Sequence, residues 1–130
     1  MEGLIDKYKI YNKAGVKIGV FGLGIELNGL VNPLLYNETK YYDPVDIAKD
    51  MTSKLKFEEK CDLVICISHL GHQYQIDKIS DTKLAKLTSN IDLIIGGHTH
   101  TLLKEPLILN NSLGEEVIIN QVGSSGVFVG

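Results

Sequence analysis

The sequence predicts an α/β domain, and three observations carry that expectation. Two short apolar runs rich in β-branched residues, DLVICIS at 62–68 and IDLIIGG at 91–97, have the look of buried strands. Stretches with helical spacing precede each of them, at 44–59 and 81–87. A hairpin pattern comes before this middle section and a series of short strands follows it. Strands that alternate with helices in this way build βαβ units.

Taken in order, KYKIYNKAGVKIGVFGLG alternates, turns at Ala14-Gly15 and then runs apolar from Val16 to Leu23. That is a hairpin whose second strand is largely buried. Residues 24–42, with Asn28-Gly29 and Asn32-Pro33, form a loop. The helix at 44–59 opens with Asp43 as N-cap and Pro44 in the first helical position, and Val45, Ile47, Ala48, Met51 and Leu55 recur along one face. DLVICIS is a continuous β-branched run, which marks a strand covered on both faces. DTKLAKL at 81–87 is a short helix capped by Asp81. After Pro106, the runs PLILN, VIINQV and GVFVG close the fold as antiparallel strands, with a turn at NNSLGEE. The last strand stops at Gly130 without a polar tail, which suggests a piece of something longer.

Composition narrows the classes of function. With 130 residues, 44% hydrophobic and 22% charged, the chain suits one modest globular domain. A net charge of -3 without a basic stripe excludes nucleic acid, and Lys54, Lys56 and Lys60 are the solvated side of a helix. No apolar run approaches the roughly 20 residues that cross a bilayer, so no membrane is expected. The opening MEGLIDKYK lacks the apolar core of a secretory signal. Cys61 and Cys66 are expected on opposite faces of a strand and unpaired, with Cys66 a small buried residue.

Chemistry is expected where the two central strands end. The first runs into SHLGH and the second into GGHTH, so His69, His98 and His100 share the carboxyl edge if the strands are parallel. In extended chain His98 and His100 point to the same side, and Gly96 and Gly97 let a ligand approach the backbone. Three neutral imidazoles at one edge suit a transition metal. The competing explanation is an ordinary polar cap on each strand end. It is strong for any one histidine and weaker for three at matching ends. His72 is better read as a surface residue or a supporting one than as a ligand. Asp62 and Asp92 precede their strands and belong to the opposite edge, while Asp77 and Asp81 lie on the histidine side. Ser68 and His69 face opposite ways along a strand, which argues against a nucleophile–base pair. Gly22-Leu23-Gly24 lacks the third glycine and the helix of a dinucleotide site. A hydrolytic metal centre also needs a carboxylate, and none stands convincingly at this edge.

DLVICISHLGH, IDLIIGGHTH and NQVGSSGVFVG, in this order and spacing, resemble the second half of the calcineurin-like metallophosphoesterase domain of the 5'-nucleotidase family. KIGVFGLG and the helix YYDPVDIAKDMTSKL fit as well, so the resemblance covers nearly the whole chain. It implies a partial β-sandwich with flanking helices, the second half of a four-layer catalytic domain spanning 1–130. It further implies hydrolysis of nucleotide phosphate esters with two divalent metals (Mn, Zn, Fe, Co or Ni). His69 and His98 would ligate one ion and His100 the other, with Gly97 in the same motif. The family's Asp-x-His, Gly-Asp and Gly-Asn-His-Glu/Asp motifs are missing from this chain, as is its substrate-binding C-terminal domain. The expectation is therefore a fragment of a metallophosphatase, inactive alone and holding one ion or none. A homodimer would bury the surface left bare. Export to the periplasm or cell exterior is implied for the parent by the resemblance alone. The rivals are a non-catalytic domain that binds metal or a partner, and a half-domain completed by another chain.

Overall fold

The computed structural model describes residues 5–130. Strands β1 (Tyr8–Lys13) and β2 (Val16–Leu23) pair antiparallel, with Lys13 opposite Val16. The turn between them holds Ala14 at φ 49° and Gly15 at φ 85°. Positive φ at both positions is what a two-residue type I′ hairpin demands. The loop that follows contains one short helix, α1 (Pro33–Tyr36), where an unstructured segment was expected. The Asn32 side chain accepts from the Leu34 N–H and Pro33 sets the first φ, which is enough to close a single turn.

Helix α2 (Pro44–Ser53) starts as the sequence predicts, with the Asp43 carboxylate accepting from Val45 and Asp46 N–H groups. Its continuation, Lys54–Glu58, widens into a π-helical turn that keeps Leu55 fully buried. Strand β3 (Leu63–Ser68), helix α3 (Asp81–Leu87), strand β4 (Leu93–Ile95), β5 (Leu107–Asn110) and β6 (Glu116–Asn120) complete the chain. The sheet has six strands in the order β1-β2-β3-β4-β6-β5. β2, β3, β4 and β6 are mutually parallel, and β1 and β5 run antiparallel at the edges. The closing segment is thus more than an antiparallel meander, because β6 enters the parallel core. GVFVG forms no strand; the nearest pairing is a single bridge between Leu102 and Val122.

The core lies on one face of this sheet. Phe21, Val64, Cys66, Ile94, Val117 and Ile119 point into it and meet Ala48 and Leu55 from the α2 side and Leu84 and Ala85 from α3. The opposite face carries Leu63, Ile67, Ile95 and Ile118, which are 41%, 54%, 45% and 41% exposed. The expectation of strands covered on both faces is therefore corrected. The chain moves one way across the sheet from β2 to β3 to β4. Crossovers of one hand that all step in one direction must lie on the same side. The partial sandwich with flanking helices expected from the family likeness is present among the described residues as one mixed six-stranded sheet with α2 and α3 on one face. Cys61 and Cys66 are both free, and both join this one core rather than opposite faces.

Candidate functional site

His69 leaves the carboxyl end of β3, its main-chain N–H bonded to the Leu23 carbonyl at 2.9 Å. Because Ile67 stands opposite Ile95 in the parallel pair, Gly96, Gly97 and His98 emerge beside it. The His69 and His98 rings meet edge to face, with centroids 5.2 Å apart and planes at 69°. Gly97 makes room for this, since a Cβ there would stand 3.1 Å from His69 Nδ1.

Beyond His98 the chain is not extended, and the expected same-side projection of His98 and His100 is corrected. Their φ angles are 71° and 54°, in the left-handed region, so the loop coils. His98 is half-buried and His100 is exposed. The residue between them is what turns inward. The Thr99 hydroxyl accepts from the His72 N–H at 3.0 Å, pairs with the Thr101 hydroxyl at 3.0 Å and donates to Gln121 Oε1 at 3.2 Å. Nothing in the sequence marks Thr99, because a lone threonine between histidines has no distinguishing pattern.

His72 is half-buried, and its Nδ1 is buried without a hydrogen-bond partner among the described residues. Burial lowers its pKa. Burial also lowers the pKa of His98, with smaller contributions in the same direction from His69, Lys78 and His100. Both effects favour the neutral imidazole, which is the form that ligates metal.

The carboxylates fall elsewhere. Asp62 accepts from the Lys17 N–H, and Asp92 accepts from the Val64 N–H at 2.7 Å and pairs with Lys56, all at the far edge. Asp77 is exposed and pairs with Lys83. Asp81 is not the helix cap that its position suggested. Ser80 caps α3, its hydroxyl accepting from the Lys83 N–H at 3.4 Å, and Asp81 is the first helical residue. The Asp81 side chain is fully buried and accepts from the Ser68 hydroxyl at 2.5 Å. Burial pushes its pKa up to about 6, with the Ser68 hydrogen bond opposing.

Among the described residues no group of three or more His, Cys, Asp or Glu is placed to hold a metal ion. Paired imidazoles suit Zn, Mn, Fe, Co or Ni, so the donors fit one corner of a metal centre but not a whole one. A cavity of about 440 Å³ opens beside the loop after β2, between Ile25, Glu26, Tyr36 and Tyr41, and has no histidine in its lining.

No protein-family model matches the chain. Over 99% of its length it is 33% identical to the trifunctional nucleotide phosphoesterase protein YfkN of Bacillus subtilis. Over 74% of its length it is 34% identical to a 5'-nucleotidase of Vibrio cholerae. A solved 5'-nucleotidase precursor from Thermus thermophilus superposes with a TM-score of 0.78 at 26% identity over 92% of the chain. The chain spans 8% and 19% of the two relatives and 24% of the solved chain.

Proposed function

This chain belongs to the 5'-nucleotidase family of calcineurin-like phosphoesterases, and we propose that it forms the histidine-bearing half of a catalytic domain that hydrolyses nucleotide phosphate esters. The observation that carries this is the edge-to-face pair of His69 and His98 where two parallel strands end, with no carboxylate completing a metal-binding group there among the described residues. In the intact enzyme His69 and His98 would hold one divalent ion and His100 a second, with Gly97 clearing the space for His69. When bound, such ions lower the pKa of water and neutralise charge on the phosphoryl oxygens. His69 and His98, on adjoining strand ends, are pinned by the sheet and need little reorganisation to act as donors. His72, with its unpartnered Nδ1, supports the Thr99 loop through its main chain.

The carboxylates that balance charge in such a centre would come from outside these 130 residues, so the chain alone is expected to hold a single ion weakly and to be inactive. The bare apolar sheet face fits the same view. In the parent protein the rest of the catalytic domain would cover it, and in the isolated chain a second copy would. An exported location for the parent belongs to the proposal on the family likeness alone. No helix among the described residues is long and apolar enough to cross a membrane.

The test is phosphate release from AMP and from an aryl phosphate with Mn²⁺ or Zn²⁺ present, together with metal content by mass spectrometry. Retention of a divalent ion without turnover is the expected result. Robust turnover by this chain alone, abolished by His100→Ala, would overturn the half-domain proposal. Absence of any retained ion at neutral pH would favour a strand-capping role for the histidines.

A further inference from the structure

A buried carboxylate that the proposed chemistry does not use lies between the two histidine-bearing loops. The Asp81 main-chain N–H donates to the Gly71 carbonyl at 2.8 Å, which ties the start of α3 to the loop beyond His69. Oδ1 accepts from the Ser68 hydroxyl at 2.5 Å, and Ser68 Oγ accepts in turn from the Leu70 N–H at 3.2 Å. His69 is the residue inside that Ser68–Leu70 turn. Oδ2 has no hydrogen-bond partner among the described residues and lies against Gly96, where any Cβ would collide with it. One side chain thus abuts both the end of β3 and the segment that carries His98.

A purely structural account explains this poorly. A buried, half-satisfied carboxylate is costly, and an apolar or amide side chain would fill the same space at lower cost. Helix capping does not explain it either, because Ser80 already supplies the cap. The glycine pair has matching roles: Gly96 clears the Asp81 carboxylate and Gly97 clears the His69 ring.

We propose that Asp81 is a positioning residue that sets the mutual placement of His69 and His98 by holding the Ser68–Leu70 turn against the Gly96–Gly97 segment. It acts through Ser68 and Gly96 and makes no hydrogen bond to either imidazole. The purpose of that placement rests on the function proposed above; the geometry does not.

The experiment is NMR of the histidine rings in the 130-residue chain, reading the nuclear Overhauser contact between His69 and His98 and their ring-proton shifts. Asp81→Ala, Asp81→Asn and Ser68→Ala are compared with the unaltered chain, with melting temperature measured on each sample. Asp81→Ala and Ser68→Ala should weaken the ring contact severalfold in a chain that remains folded. Asp81→Asn, which keeps an acceptor for Ser68, should restore it. Should Asp81→Ala fail to fold, Ser68→Ala carries the decision. An unchanged contact in folded Ser68→Ala, or a loss in Asp81→Asn equal to that in Asp81→Ala, would overturn the proposal. Zn²⁺ titrated into the same samples separates the two ideas. Ring shifts in the unaltered chain that ignore zinc would sink the metal reading and leave the Asp81 result standing.

Discussion

The His69 and His98 rings meet edge to face at 5.2 Å because β3 and β4 run parallel and end side by side. Neither residue would be near the other in an antiparallel pair of the same strands, since their ends would then lie at opposite edges. The two intervening glycines admit this arrangement from the β4 side.

Replacement of those glycines should therefore be selective. Gly96→Ala is expected to cost about 1–3 kcal/mol, the usual penalty for overpacking, because the new methyl meets the Asp81 carboxylate. Gly97→Ala should cost less, since its 3.1 Å contact with His69 Nδ1 needs only a small shift of an exposed ring. Combining Gly96→Ala with Asp81→Ala should recover much of the loss. Urea denaturation of the unaltered chain, the three single variants (Asp81→Ala included) and the double variant checks this, and strictly additive effects of Gly96→Ala and Asp81→Ala would show that the two residues do not press on one another.

The buried Asp81 carboxyl gives stability a defined pH dependence. Its folded pKa of about 6 stands above the ordinary 3.8, so the folded state holds the proton more tightly than the unfolded one. Its contribution is fully favourable below about pH 4, declines as pH rises to about 6 and is constant above that. The total change is on the order of 3 kcal/mol. Asp81→Asn should remove this decline and raise stability at pH 7. Denaturation midpoints from pH 4 to 7 would decide it, with an equal slope in both chains as the contrary result.

Both thiols should be silent in the native chain. Cys66 is fully buried and burial, with a smaller contribution from Asp81, raises its pKa; burial likewise raises that of Cys61. A thiol-reactive chromophore should label neither residue until the chain opens, at a rate set by unfolding. Rapid native labelling of Cys66 would contradict the packing.

The bare sheet face should drive association. Ile67, 54% exposed and central on that face, can take a charge without disturbing the core. Ile67→Lys is expected to change stability by less than about 0.5 kcal/mol, as at an ordinary surface position. Sedimentation velocity should show dimers or larger species for the unaltered chain and a shift to monomer for the variant. A unaltered chain that stays monomeric at high concentration would refute self-association through this face.

Much of this arrangement was legible in the sequence. Alternation and the Ala14-Gly15 turn gave the hairpin, and Asp43-Pro44 gave the start of α2. The histidine edge followed from where two apolar runs stopped. Asp81 was not legible, because Ser80 and Asp81 are both cap-type residues and capping patterns do not say which of them caps. A faint signal existed: with Ser80 able to cap, Asp81 is a surplus acidic residue opening a short helix whose other charges are both lysines, thirteen residues after Ser68.

The amino-acid order by itself determined the α/β class, the strands that bear histidines and the family to which they belong. Such features depend on local periodicity and on motifs a few residues long. Only the tertiary structure decided which face of the sheet is covered, how the GGHTH loop coils and where the Asp81 carboxylate points. Each of these turns on contacts between segments distant along the chain: the shared direction of successive crossovers, the Thr99 bonds to His72 and Gln121, and the fit of Asp81 between Ser68 and Gly96.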